Sequence, residues 1–225
     1  MKTIERIKKK QWRAKTTTSI ESLPQDLIVE IVAQLVSQSA TPISDLEKLQ
    51  MTCKMFRAAS KTKLIGQRIS LKKEWNLHWW NKRRYFAILE HCAAVGNPEA
   101  CFILGLENVF NLGRMSLGLC YLEKAIIGGY GAAIYTMGIL LFGDHRTRQM
   151  GMQLLNRIRA VGTDTVRRDV LESVRMITMN KRSPGQIERC TNPTCGRVEG
   201  WNERQSFCSE ICQWTSEYVE FYTNM

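Results

Sequence analysis

The chain has 225 residues, 44% of them hydrophobic, enough to bury a core in one or two globular units with accessories. Its formal charge of +11 invites a polyanion-binding reading, yet residues 1–18 alone hold seven Lys or Arg against one Glu, a net of +6, which leaves +5 for everything else. No apolar run follows the basic N-terminal residues, which argues against a secretion signal, so the eight cysteines are expected as free thiols or metal ligands in a nuclear or cytoplasmic setting.

In chain order, residues 1–18 read as a basic disordered tail, with a nuclear-import address as the sharper alternative. The next stretch, SLPQDLIVEIVAQLVSQSATPISDLEKLQMTCKMF from Ser22 to Phe56, predicts two short apolar helices. Ser22 can cap the first, Pro24 sits in its first turn, and Leu27, Ile28, Ile31, Val32 and Leu35 recur at helical spacing. A second helix capped by Ser44 or Asp45 sets Leu46, Leu49, Cys53 and Phe56 on one face, and Ser60 opens a third turn with Leu64, Ile65 and Ile69. These helices carry more apolar side chains than they can bury among themselves, which marks either a protein interface or a face covered by the next domain.

The segment resembles the F-box. That resemblance implies docking on a small Skp-type adaptor, and through it on a cullin, by Leu23, Pro24, Leu27, Ile31, Leu35, Leu49, Cys53 and Phe56. Phe56 stands where many members have tryptophan, and keeps a large apolar anchor.

Farther on, Lys72, Lys73, Lys82, Arg83 and Arg84 are interleaved with Trp75, Trp79, Trp80 and Tyr85. Such a mixture can stack on a single strand, but it fits a helix with one apolar and one charged face better, so nucleic acid is not the expected partner.

From Leu89 the chain repeats at a shift of 33 residues. Leu89, Leu122 and Leu155 superpose, as do Cys92, Ala125 and Ile158, then Gly96, Gly129 and Gly162, and Ala100, Ala133 and Val166. Phe102 falls on Tyr135, Gly105 on Gly138 and Gly118 on Gly151. Small residues at fixed offsets mark stacked helical hairpins, and the third unit is the weakest match. In AVGNPEACFILG, Gly96 ends one helix, Asn97 caps the next and Pro98 occupies its first turn; the pattern resembles tetratricopeptide and Sel-like repeats. Ile126 to Gly143 carries no charge, but Gly128, Gly129 and Gly131 fall where the repeat turns, which argues against both a membrane span and a phosphate loop.

At the end, CTNPTCG and FCSEIC place Cys190, Cys195, Cys208 and Cys212 with gaps of four, twelve and three residues, a layout suited to one tetrahedral structural zinc. A helix beginning near Ser209 would face both later sulfurs the same way and favour thiolate at Cys208. Four thiolates leave no position for a metal-bound water, so hydrolytic chemistry is not expected. The segment resembles a MYND-type finger reduced to its first site, since no cysteine lies between Cys195 and Cys208 and none follows Cys212. His78, His91 and His145 lie far upstream, while Cys53, Cys92, Cys101 and Cys120 occupy apolar helical positions.

The expected fold is all-α: a three-helix F-box over 19–70, an α-solenoid of about three helical hairpins over 71–180, and a zinc knuckle over 186–222. The whole from Ser19 to Tyr222 resembles a plant group of F-box proteins with this order of parts. The resemblance implies a non-catalytic, substrate-recognition subunit of a Skp, cullin and F-box ubiquitin ligase, with an unknown target held by the helices from Trp75 to about Ile177. A non-catalytic interaction scaffold and a nucleic-acid binder are the alternative readings.

Overall fold

The computed structural model describes residues 20–159, 163–177, 187, 190–199 and 204–224; the basic tail and Gly162 lie outside them. After a 3-10 turn over Ile20–Ser22, four short helices follow: α1 (Gln25–Gln38), α2 (Pro42–Thr52), α3 (Lys54–Ala59) and α4 (Lys63–Arg68). Helix α1 starts later than Ser22 would place it, because Ser22 is used in the 3-10 turn and the Pro24 carbonyl accepts from Leu27 and Ile28. Thr41, not Ser44 or Asp45, precedes α2, and the Asp45 carboxylate instead accepts from the Ser39 hydroxyl at 2.6 Å. Cys53 adopts extended angles and separates α2 from α3, so Leu49 and Phe56 sit on two helices. Thr62, not Ser60, opens α4.

Ile28, Val32, Ala33 and Val36 of α1 are buried against α3 and α4 together with Ala59 and Ile65. A joint of side-chain bonds ties this end to the next helices. Asn97 donates to the carbonyls of Gly66 and Ile69, each at 2.9 Å, while its own carbonyl oxygen caps the following helix at Ala100. The Glu99 carboxylate accepts from the backbone of Leu71 and Lys72 at 3.2 and 2.6 Å, and Gln67 donates to the Val95 carbonyl.

The repeats follow α5 (Trp75–Trp80) as α6 (Lys82–Ala94), α7 (Pro98–Leu106), α8 (Met115–Ile127), α9 (Gly131–Phe142), α10 (Arg148–Arg159) and α11 (Thr163–Ile177). The superposed positions occupy equivalent places: Leu89, Leu122 and Leu155 are fully buried, as are Ala100 and Ala133. Gly96 and Gly129 turn at φ of 91° and 83°, conformations that side chains resist. Glycine also sets the closest crossings. A methyl on Gly118 would stand 3.0 Å from the Gly105 carbonyl, and one on Gly151 would stand 2.7 Å from the Gly138 carbonyl, so α7 meets α8 as α9 meets α10. The uncharged run Ile126 to Gly143 breaks at these turns, and among the described residues no helix is long and apolar enough to cross a membrane.

The third unit keeps α10 in series, but α11 leaves α10 and lies across α9 and α7. Val170, Val174 and Ile177 bury the contact; Lys72 closes it on Asp169, and Asn111 donates to the Ile177 carbonyl at 2.8 Å. The chain's last helix, α12 (Glu210–Thr223), packs beside it on α9 and α10. Trp214, Tyr218 and Phe221 are buried there. Phe221 meets Phe110 and Tyr135, Tyr218 meets Phe142, and the Trp214 indole donates to Asn156 at 3.1 Å. Glu217, also buried, accepts from Tyr135 at 2.5 Å and from two nitrogens of Arg167 at 2.7 and 2.6 Å, binding α9, α11 and α12 into one polar knot. A two-stranded antiparallel ribbon, β1 (Arg197–Glu199) with β2 (Arg204–Ser206), precedes α12.

Candidate functional site

Two groups of residues stand apart from the core, at opposite ends of the chain. The first is on α1. Its apolar residues divide into two stripes, since side chains three and four apart share a face while Leu27 and Ile28 lie about 100° apart. Ile28, Val32, Ala33 and Val36 point inward. Leu23, Leu27, Ile31 and Leu35 are 37%, 52%, 45% and 41% exposed, a continuous aliphatic line on the outside, and Pro24 is exposed beside Leu23. Leu49, Cys53 and Phe56 are half-buried. A shallow groove lined by Leu35, Ser39, Asp45, Lys48, Leu49 and Thr52 joins the end of the line to α2. Ile20 and Met51 are further exposed apolar side chains here, and no periodic signal singles them out in the sequence.

The second group is the cysteine cluster. The Sγ atoms of Cys190, Cys195, Cys208 and Cys212 all lie within 4.8 Å of one another, with Cys190 and Cys208 at 3.4 Å and Cys208 and Cys212 at 3.3 Å. Local geometry explains the convergence. Asn192 closes the first knuckle, its carbonyl accepting from the Cys195 backbone at 3.1 Å, and Gly196 at φ 80° turns the chain into β1 while donating to the Ser206 carbonyl. Ser209 caps α12 by accepting from the Cys212 backbone at 3.2 Å, so the helix begins between the two later cysteines.

The Ser209 hydroxyl also donates to the Cys212 sulfur at 3.2 Å, and this bond lowers the Cys212 thiol to about 7. Cys208 moves the other way, to about 12, because its bonds to Cys212 and then Cys190 hold its proton. Four clustered cysteines of this kind could hold a metal ion, which would draw the protons off all of them.

The remaining candidates scatter. Cys92 and Cys101 are buried, and burial pushes the Cys92 thiol up to about 11; Cys120 is exposed, against its apolar pattern. His91 and His145 are exposed and stand apart from the cysteine cluster. The polar joint of Asn97 and Glu99 and the Arg167–Glu217 knot carry no motif that sequence reasoning could have used.

The family of plant tetratricopeptide repeats matches residues 72–191, more than half of the chain. Among curated proteins, the putative F-box protein At1g67623 of Arabidopsis thaliana is 32% identical over 147 residues, covering 65% of this chain and 48% of that protein. The F-box protein At2g35280 of the same plant is 31% identical over 134 residues, 58% of this chain and 77% of the relative. The F-box protein At1g67340, also from Arabidopsis thaliana, is 27% identical over 124 residues, 55% of this chain and 32% of the relative. The chain thus spans about half of the first of these relatives and a third of the last. No solved structure matches. With a repeat family covering most of its helices and an F-box relative matched over three quarters of its length, the chain belongs to the plant F-box proteins with tetratricopeptide-type repeats.

Proposed function

We propose that the chain is the target-recognition subunit of a Skp, cullin and F-box ubiquitin ligase, a protein-interaction adaptor that performs no bond chemistry itself. The observation that carries this reading is the outward line of Leu23, Leu27, Ile31 and Leu35 in a chain of F-box kinship. Exposed aliphatic residues aligned along a short helix and the residue just before it are costly in water, and that cost is offset when a partner covers them. In this reading a Skp-type adaptor seats on that line, on Pro24, and on Leu49, Cys53 and Phe56 at the groove. The contribution to rate is proximity, the target being held near a ubiquitin-loaded enzyme recruited elsewhere in the complex.

The cysteine cluster is proposed to hold one structural zinc. Zinc–sulfur bonds of about 2.3 Å in a tetrahedron space the sulfurs by about 3.8 Å, and the 3.3 to 4.8 Å range seen here is close enough for small side-chain shifts to fit. All four positions are then protein sulfur, a closed shell suited to holding structure. The inner side of α7 and α9 is filled by α11 and α12, so the target is assigned to the faces left open, among them that of α8, where Leu117, Cys120 and Ile127 are exposed.

Capture from plant extract or with purified adaptor tests the docking. Leu27→Asp combined with Ile31→Asp should abolish adaptor capture while leaving the thermal midpoint within a few degrees, because both side chains already face water. Undiminished capture would sink the assignment.

A further inference from the structure

The F-box end carries a second feature that the aliphatic line does not explain. From Asp45 to Lys63 there are two acids, Asp45 and Glu47, and five bases, Lys48, Lys54, Arg57, Lys61 and Lys63. Both acids are already engaged: Asp45 by Ser39 and by Lys48 at 3.1 Å, and Glu47 by Arg84 from α6. Lys54, Arg57, Lys61 and Lys63 are all exposed, and among the described residues none of them pairs with a carboxylate. Arg57 is also fixed in place, its Nε donating to the Gln50 carbonyl at 3.0 Å. Lys54 follows Cys53 and Arg57 follows Phe56, so the bases border the half-buried residues of the docking face, and Lys61 and Lys63 carry the border to the start of α4, which packs on α1. On α1 itself the exposed Asp26 and Glu30 precede Leu27 and Ile31, and Glu30 is paired with Arg68.

We propose that this end is a two-part docking surface, an aliphatic line with a basic collar on α3 and the start of α4, and that the protein seated on the line presents carboxylates to that collar. The inference rests on the adaptor reading and adds the chemistry of the partner's rim. Four bases without a carboxylate partner beside an apolar face raise the encounter rate of a surface with acids around an apolar socket, and repel one with bases there. The neighbouring residues select a protein as occupant. A single strand would need aromatic platforms, and the line is aliphatic. A lipid surface would need bases flanking the apolar stripe of α1, and Asp26 and Glu30 stand there instead.

The test is the association rate of the full chain with a purified Skp-type adaptor, from about 50 mM to about 500 mM salt, over which screening shortens electrostatic reach severalfold. The reference variant is Lys54→Glu, Lys61→Glu and Lys63→Glu together, all exposed positions, with Lys61→Gln and Lys63→Gln as a milder second form. Wild-type association should slow steeply as salt rises. The triple variant should associate about tenfold or more slowly at low salt, dissociate within about twofold of wild type, and converge with it at high salt. The Gln variant should fall between them. Rates indifferent to salt and to charge reversal, with capture still lost on Leu27→Asp, would overturn the collar and leave the adaptor reading standing. No complex with the wild-type chain would overturn both. Binding of a single-stranded oligonucleotide or of vesicles containing phosphatidylserine, lost in the triple variant while adaptor association is unchanged, would assign the collar to that ligand and overturn the proposal.

Discussion

Gly118 and Gly151 are where single atoms decide the repeat. A methyl on Gly151 would stand 2.6 Å from the backbone nitrogen of Phe142, and one on Gly118 would stand 3.1 Å from that of Val109 and 2.4 Å from its side chain, so the helices would have to separate. Either Ala substitution should destabilise the fold by about 1–3 kcal/mol or more in urea titration, while Gly131→Ala, with nothing within reach of its methyl, should be neutral or gain up to about 1 kcal/mol. Equal effects at the three positions would contradict the packing. Glu99 gives a pH signature. Burial raises its carboxyl above the ordinary 4.5, despite the opposing bonds from Lys72 and Leu71. The folded chain therefore holds this proton more tightly than the unfolded chain. Its favourable contribution is complete below 4.5 and is lost as pH climbs through the raised value. Relative to wild type, Glu99→Gln should thus gain stability as pH rises from about 4 to about 7, read by urea titration at stepped pH; a gain in the other direction would reverse the assigned cause.

At the level of elements, α12 is held by the repeats more than by the cysteines that open it. Trp214, Tyr218 and Phe221 are buried against α9, α10 and Phe110 in the turn that follows α7, and Glu217 is tied to α9 and α11. Removing the proposed zinc with a chelator, or Cys208→Ser, should therefore raise hydrogen exchange sharply in the knuckle between Cys190 and Cys208 while the amides of Trp214 to Phe221 stay protected. Loss of protection throughout α12 would show that the metal carries the helix. The repeat hairpins were legible because their small residues recur at 33-residue offsets, and the cysteine cluster because ligand spacing is a local property. The swing of α11 was not. Val166 aligns with Ala133, so its sequence reads as another second helix, and the residues that bind it elsewhere, Lys72 and Asn111, lie 97 and 66 residues from their partners. Periodicity alone does not separate the two stripes of α1, since Ile28 and Leu27 are alike in hydropathy; the F-box resemblance singled out Leu23, Leu27, Ile31 and Leu35, and the position of α3 and α4 leaves these four in water.

For the whole molecule, the joint at Asn97 and Glu99 and the return of α11 to Lys72 tie the helices before Leu71 to the repeats through side-chain bonds. Truncation after Arg159 should not yield a shorter stable solenoid. It would uncover Phe110, Tyr135 and Phe142, and the fragment should lose its cooperative melting transition. Retention of a sharp transition near the full-length midpoint would refute this. The bridge from Lys72 to Asp169 carries a further consequence for descent. Open repeat arrays lengthen by tandem duplication, each new pair stacking on the last without disturbing the first. In this chain an inserted pair would carry Asp169 away from Lys72 and Ile177 away from Asn111, so relatives are expected to diversify by changing side chains on open faces more than by growing.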